Sequence, residues 1–472
     1  MKRKVNKLMI IFSALNLIFT ILFLYCSIRL NIIPIKYIFI IIIILFLMNF
    51  GGLCLLKNKN KIIKGIGIGL SILIVIISTI GIYYLTRTDT FLNQSFGNAD
   101  TYHTNTYYII TKSNKNDLNN AKIGYYENAP GIEEALLKVK TEMKLDTLPY
   151  SDLYNLFKDL KNEKINAILL EKSLYNFMIE SSDSFNEYDY QIYSTFDIKI
   201  LEEIEEINNS NDSFNIYIGG TDFTELYTDF NMIVTVNKST NKIMLTSTPR
   251  DFYVTVYGKG GSKDLLGYAG VWGINTSRKT LENLYDINID YYVKINTQSL
   301  VELVDTLGGI EFCSDKSFTT THATVMGTYD DTIGNKLYVS KGCKKYSGIE
   351  ILTIARERKA YPDGDRQRQK NCQAIMISIF NKMVSPELIT NYSNILSAVS
   401  NLYTTNIPKE LVTELAKNTI NGAKWSIEQQ SVTGRNSSGY VHLSNVIDYV
   451  MIPNQDSVNQ ASLKIKMIEA GK

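Results

Sequence analysis

Three apolar stretches near the start of the chain, Leu8–Ile28, Pro34–Leu56 and Ile63–Leu85, restrict its architecture more than any other feature. Each reaches the roughly twenty residues that carry a helix across a bilayer, and none holds an acid or a base within its core. A cleaved secretion signal would be one shorter segment followed by a small-residue site, so residues 1–87 are expected to form a permanent three-helix anchor. Lys2, Arg3, Lys4 and Lys7 precede the first stretch, and Lys57, Lys59, Lys61 and Lys64 separate the second from the third. Only Arg29 and Lys36 occupy the other loop. Basic flanks stay cytoplasmic, which puts the N-terminus inside a plasma membrane and everything beyond the third span outside it.

The external portion is long enough for two domains. The net charge of the whole chain is +2, so no basic field attracts nucleic acid, and none is expected as a partner. Residues 88–104 are polar and aperiodic, as in a stalk. From there strand and helix patterns alternate: Tyr107–Thr111 as an edge-like strand, Ala121–Glu127, helical spacing over Gly131–Met143 and Tyr150–Lys161, then a short buried strand at Asn166–Leu170. That alternation predicts a small α/β accessory domain over 101–205 with parallel pairing. It is closed by an acidic, linker-like stretch, Leu201–Ser213.

The second unit, 214–385, opens with strand Phe214–Ile218 and a tight turn at Gly219-Gly220-Thr221-Asp222. Strands Met232–Val236 and Lys242–Ser247 flank a polar hairpin turn. Helix Thr297–Leu307 stops at Gly308-Gly309, and helix Ile349–Glu357 leads to helix Lys370–Met383. Residues 386–472, with a helix at Pro408–Lys417 and strands at Trp425–Glu428 and Val450–Ile452, are expected to complete the sheet. Cys26 and Cys54 fall inside the spans, and Cys372 falls on a helical pattern that predicts burial. Cys313 and Cys343 lie outside the membrane, where a disulfide persists; closing that loop stabilises by about 3–4 kcal/mol.

The chemistry is written in arginine. The chain holds ten Arg against thirty-nine Lys, yet Arg356, Arg358, Arg366 and Arg368 fall within thirteen residues, and Arg250 follows an apolar run. The rigid guanidinium fork suits two-oxygen recognition of phosphate or carboxylate. Interleaved Glu357, Asp363 and Asp365 leave open a set of structural ion pairs instead. Asp222 and Asp229, seven residues apart beside a strand turn, could share one divalent cation; Mg²⁺ commonly takes one or two carboxylates plus phosphate oxygens. They could equally be turn-capping residues. The three histidines, His103, His322 and His442, lie outside these segments. No nucleophile elbow, phosphate-binding Walker loop or His-Glu-x-x-His motif occurs. Phosphoryl transfer needs mainly positioning and charge neutralisation, which this inventory supplies.

Thr248-Pro249-Arg250-Asp251, Leu265 to Gly273, Asp305 to Ile310, and Ala355-Arg356-Glu357-Arg358 with Asp363-Gly364-Asp365-Arg366-Gln367-Arg368 resemble the LytR-CpsA-Psr family over about 214–385. The layout is similar to its CpsA-like, three-span branch. The resemblance implies an α/β/α domain with a central mixed sheet, in a Gram-positive-type envelope. It implies a phosphotransferase that moves a glycopolymer (teichoic acid, capsule or another wall polysaccharide) from an undecaprenyl-pyrophosphate carrier to peptidoglycan. By that resemblance Arg250, Arg356, Arg358 and Arg368 hold the pyrophosphate, and Asp222 and Asp229 position Mg²⁺. Asp251 and Asp365 orient the arginines or assist proton transfer. Arg366, Lys263 and Gln369 join in substrate binding, and Ile233, Val301, Val304, Ile375 and Ile379 line the prenyl groove or are ordinary core. Tyr227, Leu265 and Cys372 depart from the family pattern. A head-group hydrolase and a non-catalytic sensor of lipid carrier or polymer are the competing readings.

Overall fold

The structure, a computed structural model, describes residues 7–96, 102–112, 118, 120–142, 144, 146–181, 185–201, 212–221, 227–323, 335–362, 364–383 and 403–472. By packing the chain divides into two units: residues 1–98 with 390–400 and 407–425, and the remainder.

The first unit is built on α1 (Lys7–Leu30), α2 (Ile35–Leu56) and α3 (Lys61–Ser95), each long and apolar enough to cross a membrane. Their outward faces expose Ile, Leu and Phe side chains that water would not tolerate over such an area. The polar stretch read as a stalk is helical as far as Ser95. The reason lies in packing: Thr88 and Leu92 are buried, and Lys409 reaches Asp89 at 2.6 Å and Asn93 at 2.7 Å. Lys409 belongs to a late helix, Lys409–Ile420, which groups with the spans rather than with the sheet it was expected to complete.

Among the described residues, the second unit contains two sheets of more than two strands. The smaller is formed by β1 (Tyr102–Lys112), β2 (Lys122–Tyr126), β3 (Asp146–Tyr150), β4 (Ala167–Glu171) and β5 (Tyr190–Leu201), in the order β3-β2-β4-β1-β5. Pairing among β2, β3 and β4 is parallel as expected, but β1 is antiparallel to both β4 and β5. It is therefore an interior strand rather than an edge. Helices α4 (Ile132–Glu142), α5 (Leu153–Lys161) and α6 (Lys172–Ser181) pack on this sheet. The predicted linker, 202–211, lies outside the described residues.

The larger sheet has six strands: β6 (Ser213–Thr221), β7 (Thr228–Asn237), β8 (Lys242–Thr248), β11 (Tyr291–Asn296), β16 (Tyr403–Thr405) and β17 (Ser426–Ser431), ordered β16-β11-β6-β7-β8-β17. It is mixed: β6–β11 and β8–β17 are parallel, the other pairs antiparallel. Gly219 and Gly220 are not a turn. They continue β6, because a Cβ at Gly219 would lie 2.6 Å from Ile274 Cδ1 and one at Gly220 would lie 2.9 Å from Phe230 Cβ. Close packing, not chain reversal, requires them. Strand β17 joins the sheet as predicted; the other late strand does not. That strand, β19 (Val446–Pro453), forms a separate hairpin with β18 (Gly434–Val441).

Helix α7 (Ile274–Tyr285) and the C-terminal helix Gln455–Glu469 bury Tyr217, Ile233, Phe252, Leu281, Tyr285 and Val458 together. Helices α8 (Thr297–Thr306), α9 (Gly348–Arg356) and α10 (Asp365–Met383) form the other helical group, with α10 running against β8 and β17. Cys313 and Cys343 face each other on β12 (Ile310–Ser314) and β15 (Gly342–Tyr346) and form the disulfide. Cys372 is half-buried, not enclosed, with its thiol 3.6 Å from the Ala355 carbonyl oxygen.

Candidate functional site

The start of β7, the end of β8 and the first turn of α10 meet at one place. Arg250, two residues beyond β8, forms an ion pair with Asp229 through Nη1, and its Nε lies 3.3 Å from Asp251 Oδ1. Arg368 reaches across from α10 and donates from Nη1 to the Asp229 carbonyl oxygen at 3.0 Å. Asp229 is thus gripped twice, by side chain and by backbone. Arg250 and Asp229 each keep a little over a quarter of their side-chain surface open, whereas Arg368 is buried. The guanidinium fork of Arg250 stays partly open beside the anchored one of Arg368.

Local sequence explains why these groups converge. The Tyr217 hydroxyl donates to Asn231 Oδ1 at 2.6 Å, and Asn231 Nδ2 donates to the Thr228 carbonyl at 3.0 Å, fixing the backbone on either side of Asp229. The segment Leu266–Trp272 coils as a 3-10 helix beneath them. It holds two glycines where a side chain would collide: a Cβ at Gly270 would lie 2.1 Å from Thr228 Oγ1, and one at Gly267 would lie 3.3 Å from both Arg250 Cβ and the Thr228 oxygen. The Leu265 to Gly273 motif is therefore a cradle for the strand ends, and the Gly267 N–H donates to the Arg250 carbonyl at 2.8 Å. Tyr227 packs its ring against Tyr268 and Phe177, so this departure joins the small lobe's aromatic core to the cradle.

Arg356 ends α9 and Arg358 follows it, both half-buried. The Cys372 thiol against the Ala355 carbonyl shows that the end of α9 packs on α10, where Cys372 lies one helical turn beyond Arg368. Glu357, between them, is fully buried and occupied elsewhere. Its carboxylate accepts from the Thr321 N–H at 2.5 Å, from the Thr321 hydroxyl and from the Ala360 N–H at 2.8 Å. It pins strand β13 (Phe318–Ala323) to the loop that carries the arginines, a role that sequence reasoning missed. The only sequence signal was an acid lodged between two arginines.

Other expected residues fare differently. Asp222 and Asp363 lie outside the described residues, and Asp365 enters as the first residue of α10. Gln369 is buried in that helix and Arg366 is exposed on it. Lys263 does not join Arg250 and Arg368. It opens β10 (Lys263–Leu265), opposite Thr255 of β9 (Tyr253–Thr255), at the far end of the hairpin from Arg250, with each strand residue spanning roughly 3.3 Å. Ile233 is core on the α7 side. Val304, Ile375 and Ile379 are buried within side-chain packing, and Val301 is half-buried with its carbonyl oxygen turned to Gly348.

Next to the cradle, Asp264 is buried and accepts the N–H groups of Leu265 and Leu443, each at 2.8 Å. Burial pushes its carboxyl up to about 6, against these bonds and nearby His442. Burial likewise raises Glu171 and Asp290. A raised carboxyl means that the folded state binds the extra proton, so stability is greatest below the ordinary value and falls as pH climbs towards 6. Asp264→Asn is expected to remove about 3 kcal/mol of that fall. Thermal midpoints of the detergent-solubilised chain between pH 4 and 7 check this; an unchanged slope in the variant would contradict it.

A family model, LytR_cpsA_psr, matches residues 191–466. The chain is 28% identical over 187 residues to the polyisoprenyl-teichoic acid–peptidoglycan teichoic acid transferase TagU of Bacillus anthracis, a match covering 40% of this chain and 57% of that relative's length. To TagU of Bacillus subtilis it is 29% identical over 246 residues, covering 52% of this chain and 76% of the relative. The crystal structure of Bacillus subtilis TagU superposes with a TM-score of 0.41 at 27% identity, covering 54% of this chain and 96% of that one.

Proposed function

Since the chain belongs to the LytR-CpsA-Psr family, we propose that it is a phosphotransferase that moves a wall glycopolymer from a polyprenyl-pyrophosphate carrier, undecaprenyl in length, to peptidoglycan. The convergence of Arg250 and Arg368 on Asp229 carries the reading. Two guanidinium groups from separate elements suit a diphosphate better than a single carboxylate. The relatives named as teichoic acid transferases support the choice of acceptor and donor class.

In this reading the pyrophosphate displaces Asp229 from Arg250 and takes both forks. A sugar hydroxyl of peptidoglycan attacks the sugar-linked phosphorus; the new O–P bond forms as the bond to the bridging oxygen breaks, and polyprenyl phosphate leaves with that oxygen. The hydroxyl proton passes to a nearby carboxylate, for which Asp251, aligned by Arg250, is placed. Arginines positioned before the reaction stabilise charge on the phosphoryl oxygens without reorganising. Asp229, with Asp222, would hold Mg²⁺: one half-open carboxylate beside an oxyanion receptor is the hard-oxygen donor set that this ion takes. When bound, the ion neutralises diphosphate charge. Val304, Ile375 and Ile379 are closed over, so entry of the prenyl tail requires these side chains to part. The three spans would anchor the chain in the membrane with the N-terminus inside.

Incubation of the full chain with a prenyl-pyrophosphate-linked oligosaccharide, with and without peptidoglycan strands, tests this. The expected product is polymer joined through a phosphodiester to peptidoglycan, with prenyl monophosphate released. Release of head group at equal rate without the acceptor would make the protein a hydrolase, and no turnover with intact binding would make it a sensor.

A further inference from the structure

A cavity of about 300 Å³ lies where the small lobe meets the β9–β10 hairpin, away from the arginines and walled by Asn128, Ser151, Lys259, Ser262, Trp272 and His442 among others. Its wall carries a charged group packed on an aromatic ring. The Trp272 indole is buried and its side chain pairs with that of Tyr126. Lys259 stands over the Trp272 ring, 4.7 Å from its centroid, and gives one of its three N–H donors to the Asn128 carbonyl at 3.2 Å. Burial brings the ammonium down to about 8, so the cavity wall withholds water from it.

We propose that this cavity binds one sugar unit bearing a carbonyl-type acceptor, such as the N-acetyl group of an amino sugar. The volume sits at the lower end of ligand sites, space for a single ring. Its donors, the ammonium and two serine hydroxyls, match a carbonyl and ring hydroxyls, and Tyr126, Tyr440 and Trp272 line it with aromatic surface for a sugar's C–H groups. A phosphate dianion is disfavoured, because Asp152 and Asp264 line the same space as the single lysine. The choice of a saccharide rests on the glycan-transfer reading; the cavity does not. Its placement makes the small lobe a second point of contact for the glycan, whether that sugar belongs to the acceptor strand or to the polymer being moved.

Trp272 and Trp425 are the chain's two tryptophans, so Trp425→Phe leaves the cavity's indole as sole reporter. The full chain in detergent carrying that change is titrated with chitotetraose, maltotetraose, inorganic pyrophosphate, peptide-free glycan strands and detached wall polymer. A saturable change in indole emission with chitotetraose is expected, and much less with maltotetraose or pyrophosphate. Whichever of the last two polymers competes tells the source. Lys259→Met should weaken binding by roughly tenfold, the equivalent of one good hydrogen bond. Ser151→Tyr, made from the exposed rim, should block it at an unchanged thermal midpoint and guards against misfolding of the first variant. Response to pyrophosphate alone, no response to any saccharide, or full binding in Ser151→Tyr overturns the proposal. Because emission reads binding and not turnover, a failed transfer assay with intact binding would sink the function and leave this site standing.

Discussion

Arg250→Ala lowers transfer by roughly a hundred- to a thousandfold, the loss seen when one preorganised donor to a developing oxyanion is removed, while the protein stays folded. Both halves of that expectation come from the same geometry. Arg250 keeps 30% of its side chain open and its partner Asp229 keeps 26%, so breaking their pair strands no buried charge and costs at most about 1 kcal/mol. Arg250→Lys retains the charge but not the planar fork, and should recover little of the lost rate. Arg368→Ala is the less clean test, since Arg368 is buried and braces the β7 backbone at Asp229. Turnover of the lipid-linked donor measured beside thermal midpoints checks the pair. A folded Arg250→Ala protein with full turnover would remove the clamp from the mechanism.

Much of this architecture was legible because its strongest signals are local. Apolar runs of bilayer length can only be spans, and the alternation from Lys122 to Glu171 can only be an α/β lobe. What escaped depended on contacts distant in sequence. Gly219 and Gly220 look like a turn until Ile274 and Phe230 are seen to press on them. The polar end of α3 lacks apolar periodicity, and it remains helical because Lys409, more than three hundred residues on, engages Asp89 and Asn93. Strand β1 passes for an edge when β5 has not been recognised: β5 exposes Gln191, Ile192 and Tyr193 in succession, beside a register shift against β1, and so lacks a clean alternation. At the site, residue type singled out Arg250 and Arg368, which the structure brings together at Asp229, since arginine is scarce in this chain. It could not say that Lys263 sits at the wrong end of its hairpin, nor that Glu357 serves Thr321 and Ala360. Ile233 shows the same limit: apolar and near the site in sequence, it belongs to the core beneath α7.

Gly348→Ala is expected to cost about 3 kcal/mol of stability, at the upper end for overpacking, and to cut transfer with it. Gly348 opens α9, and a Cβ there would lie 2.2 Å from the Val301 carbonyl oxygen and 2.8 Å from its carbonyl carbon and Cα. Those are backbone atoms of α8, so no side-chain rotation relieves the clash and the two helices must separate. The junction cannot slide to absorb it. Asp305 Oδ1 holds the Gly348 N–H at 2.7 Å, the Glu350 carboxylate holds the Ser347 N–H at 2.8 Å, and Gly309, at φ +86°, lies against the Tyr346 oxygen. The Asp305 to Ile310 motif is therefore a brace for α9, whose last residue is Arg356. Displacing α9 by an ångström would move that guanidinium off the diphosphate, and a misplacement of this size can cost about a hundredfold in rate. A lowered thermal midpoint together with a turnover loss much larger than the unfolded fraction explains is the expected outcome. Loss of stability with turnover per folded molecule intact would show that Arg356 does not act through the position of α9.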